Sequence, residues 1–200
     1  MNEYPKTDVI ILAGGQARRM NGQNKLLLNF DDESQLSKIY HAFQGQIHQL
    51  WINSHRDHAQ YKKIIPDIKI FTDDSADHLG PLMGIKTAWH YIQSDYALFI
   101  PCDITYIPAN ILKKLHLKLK QHPDAYVIYI KINQDSLYPF CLIKREALKT
   151  FHTNIQKNKL SLKYSFDQLN AQYIEIHKPN IFYHSLNSLQ ELEDYQMHKK

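Results

Sequence analysis

The sequence is short of cysteine and has no long apolar run. Its two cysteines, Cys102 and Cys141, are too few among 200 residues for a disulfide framework or a cysteine zinc site. No apolar stretch approaches the roughly 18–20 residues that cross a membrane. Residues 1–8 carry two acids where a signal peptide would have its apolar core. These absences predict a cytoplasmic protein that does not bind membranes.

Glycine is also scarce, and its placement is informative. The chain has 6 glycines, of which Gly14, Gly15 and Gly22 lie close together, and Gly80 and Gly84 form a second group. Glycine lets the backbone turn sharply and approach a ligand closely. This distribution therefore indicates two functional loops.

The overall composition is that of an ordinary globular domain. With 44% hydrophobic and 22% charged residues, a chain of this length fits one domain that buries about 70% of its unfolded surface. The net charge of +4 is mild, and the basic residues do not cluster with aromatic ones as they do in nucleic-acid-binding modules. We therefore expect a single domain over residues 1–200 and no nucleic-acid partner.

Short apolar runs alternate with segments of helical periodicity. This alternation is typical of βαβ units, and it predicts a three-layer α/β/α fold with a doubly wound, mainly parallel sheet. The predicted strands are 9–12, 50–53, 68–71, 97–100, 125–130, 140–143 and 172–177. The predicted helices are 35–43, 58–63, 85–93, 109–121, 145–151, 160–169 and 189–197. Ligands of such sheets bind beyond the carboxyl ends of the strands.

The first glycine loop has the character of a phosphate-binding loop. The apolar run Val9–Leu12 stops at Gly14 and Gly15, and Arg19 and Lys25 then supply positive charge where a polyphosphate would lie. The spacing matches neither the Gly-x-x-x-x-Gly-Lys-Ser/Thr loop nor the Gly-x-Gly-x-x-Gly fingerprint. It is therefore a phosphate loop of another kind, or else a simple turn at the end of a strand.

A carboxylate, Asp103, directly follows a later apolar run. Mg²⁺ prefers oxygen ligands and is usually held by one or two carboxylates together with substrate phosphates. Asp103 is accordingly predicted to bind magnesium. The alternative is an aspartate that caps the turn before Pro108.

Further polar residues follow the other predicted strands. Gly80 lies just before a predicted helix, whose first N–H groups can bind an anion or a base edge. Asp73 and Asp74 lie upstream of it, and Asn53 at the end of the second strand could bind a sugar or base. The alternatives are a tight loop with solvated acids and an asparagine that only forms a turn.

Three motifs together resemble those of the bacterial molybdenum cofactor guanylyltransferases. They are Leu12-Ala13-Gly14-Gly15 with Arg19-Met20 and Lys25, Gly80-Pro81-Leu82 with Gly84, and Pro101-Cys102-Asp103. Order and spacing match over residues 8–108, and weaker similarity continues at 138–140 and 187–192. The resemblance implies a Rossmann-like fold of the nucleotide-diphospho-sugar transferase type. It also implies a nucleotide-binding half near 1–108 and a pterin-binding half near 109–200.

The resemblance implies a magnesium-dependent nucleotidyl transfer. The terminal phosphate of molybdopterin would attack the α-phosphorus of GTP, forming the guanine dinucleotide cofactor and releasing pyrophosphate. The expected partners are GTP, the molybdopterin or molybdenum cofactor, and, transiently, proteins that deliver and accept the cofactor.

The same resemblance implies roles for particular residues. Lys25, Asp103 and Arg19 would be catalytic, with Asp103 holding Mg²⁺. An aspartate ahead of the Gly-Pro-Leu turn belongs to the pattern, and either Asp73 or Asp74 can supply it, with Asp74 favoured. The implied nucleotide-binding residues are Leu12, Ala13, Gly14, Gly15, Lys25, Asn53, Asp73, Asp74, Gly80 and Asp103.

The chain departs from the family pattern at several positions. The family usually reads Arg-Met-Gly-Gly-x-Asp-Lys-Gly, where this chain has Asn21, Asn24 and Leu26. Asn21 can adopt a left-handed turn, but Asn24 cannot supply the charge of an aspartate. A basic pair of the C-terminal region is missing, and three lysines are candidates to replace it at the pterin phosphate: Lys157, Lys159 and Lys163.

Other functions fit parts of the pattern. A cytidylyltransferase acting on the same pterin cofactor usually has Leu-Ala-Ala-Gly at positions 12–15, so Gly14 favours guanine. A sugar-phosphate nucleotidyltransferase is a more distant alternative. A nucleotide-binding or cofactor-carrying module without turnover is the alternative from another class, and Asn24 would permit it.

Overall fold

The computed structural model describes residues 4–15, 20, 22–73, 80–179, 181 and 183–198. Within these residues a seven-stranded sheet forms the centre of the molecule, in the order β3-β2-β1-β4-β6-β5-β7. The strands are β1 (Thr7–Leu12), β2 (Gln49–Asn53), β3 (Lys69–Phe71), β4 (Tyr96–Pro101), β5 (Val127–Ile132), β6 (Asp135–Lys144) and β7 (Gln172–Ile176). All the described pairings are parallel except the two made by β6. The predicted mainly parallel sheet is confirmed.

Helices connect most of the strands. They are α1 (Gln35–Phe43), α2 (His58–Ile64), α3 (Pro81–Ala88), α4 (Ile111–Gln121), α5 (Leu148–Gln156), α6 (Leu162–Gln168) and α7 (Leu189–His198). The boundaries predicted for α3 (85–93) are wrong, because the helix begins at Pro81. Proline suits the first helical turn, where its missing N–H needs no partner. Gly80 precedes it with φ 76°, a conformation that favours glycine.

The helices cover both faces of the sheet. Because successive strand residues point to opposite faces, Val9 and Ile11 belong to one buried cluster and Ile10 to another. The first cluster includes residues of α1, α2 and α4, and the second includes residues of α3, α5 and α6. The predicted three-layer α/β/α arrangement is confirmed.

A C-terminal segment returns to the carboxyl edge of the sheet. Ile104, just beyond β4, forms an antiparallel bridge with Ser185, and the Leu186 N–H donates to the Asp103 carbonyl at 3.0 Å. Leu186 also packs with Phe30 and Leu192 in a small separate core. This core joins α7 to the segment that follows the first glycine loop.

No helix within the described ranges is long and apolar enough to cross a membrane.

Candidate functional site

The carboxyl ends of β1, β2 and β4 open into two neighbouring clefts. The nucleotide cleft, of about 270 Å³, is lined by Leu12, Gly14, Gly15, Asn53, Asp73, Gly80, Pro81, Pro101 and Pro139. The phosphate cleft, of about 210 Å³, is lined by Leu12, Ala13, Gly15, Asn24, Lys25, Arg56, Pro101, Cys102 and Asp103. The two clefts share Leu12, Gly15 and Pro101. The predicted nucleotide-binding residues within the described ranges all line one of them.

Lys25 lines the phosphate cleft. Its Nζ donates to Asp103 Oδ2 at 3.0 Å and to Asn187 Oδ1 at 3.2 Å. Both charged side chains are largely shielded, with 13% of Lys25 and 20% of Asp103 exposed. In such partly shielded surroundings a charge interacts more strongly than in open water. The pair can therefore hold the ammonium group in place before a phosphate arrives.

Cys102 lies between the end of β4 and Asp103, but its thiol is not expected to react. Burial raises the pKa of the Cys102 thiol to about 12, and the neighbouring Asp103 charge acts in the same direction. A thiol of this kind stays protonated at neutral pH and is a poor nucleophile. Cys102 is therefore a packing residue of the cleft.

Asn53 and Asp73 form the polar wall of the nucleotide cleft. The Asn53 Nδ2 group donates to Asp73 Oδ1 at 2.8 Å, and Asn53 is buried. A Cβ added at Gly14 would lie 3.1 Å from Asn53 Oδ1 and 3.3 Å from Asp73 Oδ2. One added at Gly84 would lie 2.7 Å from Asn53 Oδ1. Two glycines thus make room for the amide, one from the loop after β1 and one from α3.

Some of the predicted site residues cannot be compared with the structure. Arg19 and Asp74 lie outside the described residues, so their roles stay predictions. Asp73 is described, and its contact with Asn53 places a carboxylate in the nucleotide cleft. The choice between Asp73 and Asp74 as the family aspartate stays open.

The structure adds two residues to those predicted from the sequence, Arg56 in the lining of the phosphate cleft and Asn187 beside it. Arg56 lines the cleft and contacts the glycine loop, and Asn187 reaches Lys25 from the C-terminal segment. The position of Arg56, three residues beyond Asn53, was a usable signal, because it follows a strand of the same edge. Asn187 belongs to the weaker similarity at 187–192, which gave it no role.

The residues at the phosphate cleft fit a magnesium ion. Within the described part of the chain no group of three His, Cys, Asp or Glu side chains forms a protein-only metal cage. Asp103 supplies one carboxylate beside the space open to a ligand. One carboxylate completed by substrate phosphates and water is the usual manner of magnesium binding.

The lysines suggested for the pterin phosphate lie at the junction of α5 and α6. Lys157, Lys159 and Lys163 are all exposed, and Lys159 Nζ lies 5.9 Å from the centre of the Tyr164 ring. β6 ends beside the amino end of β4, and α5 starts from there. The α5–α6 junction is therefore carried back towards the carboxyl edge of the sheet.

The fold is that of nucleotidyltransferases. Molybdopterin-guanine dinucleotide biosynthesis protein A from Archaeoglobus fulgidus superposes with a TM-score of 0.70 over 95% of this chain and 97% of its own, at 16% identity. CTP:phosphocholine cytidylyltransferase from Streptococcus pneumoniae also has a TM-score of 0.70, at 11% identity, over 98% of this chain and 100% of its own. At these identities the similarity shows the fold alone.

The sequence comparisons define the family. A model described as MobA-like NTP transferase domain matches residues 9–169. A protein of Acinetobacter baumannii named molybdenum cofactor guanylyltransferase is 52% identical over 196 residues, which is 98% of this chain and 94% of the relative. One of the same name from Haemophilus influenzae is 39% identical over 135 residues, 67% of this chain and 68% of the relative. The chain belongs to the molybdenum cofactor guanylyltransferase family.

Proposed function

We propose that this protein transfers GMP from GTP to the phosphate of molybdenum-loaded molybdopterin. The membership of its family and the 52% identity to a molybdenum cofactor guanylyltransferase over 98% of the chain support this reaction. The observation that carries the proposal at the site is the contact of Lys25 Nζ with Asp103 Oδ2 at 3.0 Å, beside the glycine-rich end of β1.

The proposed chemistry asks for positioning and charge rather than for a protein nucleophile. An oxygen of the acceptor phosphate attacks the α-phosphorus of GTP, the bond to the β-phosphate oxygen breaks, and pyrophosphate leaves. Lys25 would stabilise the negative charge of the phosphates, and Gly14 and Gly15 would let the backbone approach them. The ammonium group that would stabilise this charge is held in place by Asp103 and Asn187.

We propose Asp103 as the ligand of Mg²⁺. A bound magnesium ion would neutralise phosphate charge and orient the α-phosphate for displacement. Asp103 would hold the metal while its Oδ2 also accepts from Lys25 Nζ. A single aspartate can serve both because each carboxylate has two oxygens and several acceptor directions.

Guanine is the base that the first loop favours. Position 14 carries glycine, where the cytidylyltransferases of this cofactor usually have alanine. The structure adds a physical reason for that difference, because a methyl group at Gly14 would crowd both Asn53 and Asp73. Their polar atoms form the wall on which a guanosine would rest in the nucleotide cleft.

The acceptor is proposed to bind the C-terminal half, with its phosphate near Lys157, Lys159 and Lys163. These lysines are exposed and lie towards the same edge as the clefts. We also propose a cytoplasmic location and transient contacts with proteins that deliver and receive the cofactor.

The test is pyrophosphate release with molybdenum-loaded molybdopterin and Mg²⁺, with GTP, CTP and ATP offered in parallel. Turnover with GTP alone is expected. Turnover with CTP would assign the sister activity, and GTP binding without turnover would favour a carrier.

Asp103→Ala in the same assay is expected to abolish metal-dependent turnover. Its unfolding transition should stay cooperative, because the carboxylate lies at the edge of the fold and not in its core. Near-normal turnover of the folded variant would contradict the role of Asp103.

A further inference from the structure

The loop between β2 and α2 reaches across the carboxyl edge and binds the first glycine loop. Arg56 Nη1 donates to the Gly22 carbonyl at 2.6 Å, and Nη2 donates to the Gln23 carbonyl at 3.2 Å. The remaining nitrogen, Nε, lies 3.6 Å from Asp57 Oδ2. Each nitrogen of the guanidinium group therefore has a protein partner. Arg56 is committed to holding the loop.

Asp57 has an unusual conformation that a capping role does not explain. It stands at the N-cap of α2 with φ 60°, in the left-handed region, and its side chain makes no capping hydrogen bond. Aspartate is among the best N-cap residues, and the left-handed region is sparsely populated outside glycine. Here the carboxylate instead accepts from Asn24 Nδ2 at 2.6 Å. The conformation of Asp57 serves a contact with the glycine loop.

Asn24 uses both ends of its amide. Its Oδ1 accepts from the Leu26 N–H at 3.1 Å, and its Nδ2 also donates to the Tyr61 hydroxyl at 2.7 Å. Tyr61 is fully buried and its pKa is raised, mainly by burial, so it stays neutral. A carboxylate at position 24 could not donate to Asp57. It would place two negative charges within hydrogen-bond distance of each other.

We propose that Arg56, Asp57 and Asn24 form a clamp that sets the position of Lys25. Within it, Asp57 supplies from the β2–α2 loop the negative charge that Asn24 lacks. In this proposal the clamp residues are positioning residues, because they act on Lys25 through the loop that carries it. Lys25 directly follows Asn24, so a shift of the clamped loop moves its ammonium group away from Asp103 and Asn187. The inference rests on the proposed function for its catalytic consequence, but not for its effect on GTP binding.

An exchange of the two side chains tests the clamp. Asn24→Asp alone is expected to weaken GTP binding by about 10-fold or more, because two carboxylates then face each other. Asp57→Asn alone should weaken it less, since an amide oxygen can still accept from Asn24. The double variant, Asn24→Asp with Asp57→Asn, reverses the donor and the acceptor. It should restore GTP affinity to within about 3-fold of the original, a coupling that distant sites do not show.

The cycle compares four proteins, namely the unaltered protein, the two single variants and the double variant. For each we would measure GTP binding by calorimetry without an acceptor, thermal unfolding, and kcat and KM. Asn110→Asp is the matched control, because this exposed residue at the start of α4 makes no capping bond. Arg56→Lys keeps the charge but cannot bridge two carbonyls, and should weaken GTP binding by about 5-fold or more.

Three results would overturn the clamp. They are an Asn24→Asp variant that binds GTP normally, a double variant whose defects are the sum of the single ones, and an exchange that restores unfolding but not GTP binding. Unchanged GTP affinity in Arg56→Lys would remove Arg56 from it. Absent turnover in the unaltered protein would instead overturn the proposed function, while the binding cycle would still decide the clamp.

Discussion

Much of the proposed catalysis depends on the positive charge of Lys25. Its contacts with Asp103 and Asn187 direct the ammonium group towards the phosphate cleft. At about 4 Å, a lysine and a phosphate charge attract each other by roughly 4 kcal/mol at an effective dielectric constant near 20, before desolvation is counted. Removing the Lys25 ammonium group should therefore strongly lower the rate of pyrophosphate release and have little effect on the fold.

Lys25→Ala is expected to lower kcat for pyrophosphate release by about 100-fold or more, by analogy with the loss of one charge-stabilising donor. Lys62→Ala on α2 is the control, because this lysine is exposed and lies outside both clefts. A Lys25→Ala protein with a kcat close to that of the control would exclude Lys25 from transition-state stabilisation.

Sequence motifs predicted part of the site at the residue level. Four site residues lie at or just beyond the carboxyl ends of strands that are parallel neighbours, so their proximity could be foreseen: Gly14, Gly15, Asn53 and Asp73. Asn187 could not be placed in this way. Its contact with Lys25 spans 162 positions of the chain, and no local pattern encodes such a distance.

At the level of elements, α3 approaches β2 and β1 unusually closely, through Gly84. Glycine within a helix usually destabilises it by about 0.5–1 kcal/mol relative to alanine. Here a Cβ would lie 2.7 Å from Asn53 Oδ1 and 3.0 Å from Leu12 Cδ2. Crowding of a Cβ at position 84 therefore opposes the helix preference for alanine over glycine. It decides whether the Gly84→Ala substitution stabilises or destabilises the protein.

Gly84→Ala is expected to weaken GTP binding and to give no gain in stability, because Asn53 must move and lose its bond to Asp73. Calorimetry and thermal unfolding measure the two effects. Lys86→Ala in the same helix, whose side chain is half-buried and lies outside both clefts, is the comparison for GTP binding. A more stable Gly84→Ala protein with unchanged GTP affinity would contradict this prediction, because α3 would then have shifted to accommodate the methyl group.

The junction of α5 and α6 carries the prediction for the acceptor. Reversing the charge of Lys157, Lys159 and Lys163 to glutamate should raise KM for the pterin substrate while leaving GTP affinity unchanged. The matched control reverses the exposed Lys113, Lys114 and Lys120 of α4. If acceptor affinity is equal in both triple variants, the α5–α6 lysines are removed from the pterin site.

The elements themselves were largely predictable, but their order in the sheet was not. Apolar runs of four to six residues mark buried strands because both faces of such a sheet are covered. The insertion of antiparallel β6 between β4 and β5 depends on long-range pairing, such as that of Tyr96 with Lys144 and of Phe99 with Cys141. The register of the β5–β6 pairing also shifts between Tyr129 and Ile130. The part of β6 opposite this shift contains Pro139, which lines the nucleotide cleft.

For the molecule as a whole, His116 links stability to pH. Its Nε2 lies 2.8 Å from Thr7 Oγ1, and its ring stacks on Tyr4 at 5.1 Å. Burial lowers the pKa of His116 to about 4 from the usual 6.5. Between pH 6.5 and about 4, this histidine binds a proton in the unfolded chain but stays neutral in the folded protein. The free energy of unfolding should therefore fall as the pH drops through this range.

His116→Phe keeps the aromatic packing and removes the titrating group. Denaturant unfolding between pH 6.5 and 4 should show a decline that is smaller in the variant, by about 3 kcal/mol at the acid end. The exposed His90, replaced by phenylalanine in the same way, provides the control. Parallel pH curves for His116→Phe and the unaltered protein would contradict the assignment.

The pairing of residues 183–187 with the end of β4 has a consequence for biosynthesis. A chain on the ribosome presents Lys25 first and Asp103 much later, and a domain generally folds as a unit. Asn187 and the anchor of α7 at Leu192 emerge later still. Until residues 183–187 emerge, Lys25 lacks its contact with Asn187. The proposed catalytic site is therefore complete only after residues 183–187 have been made.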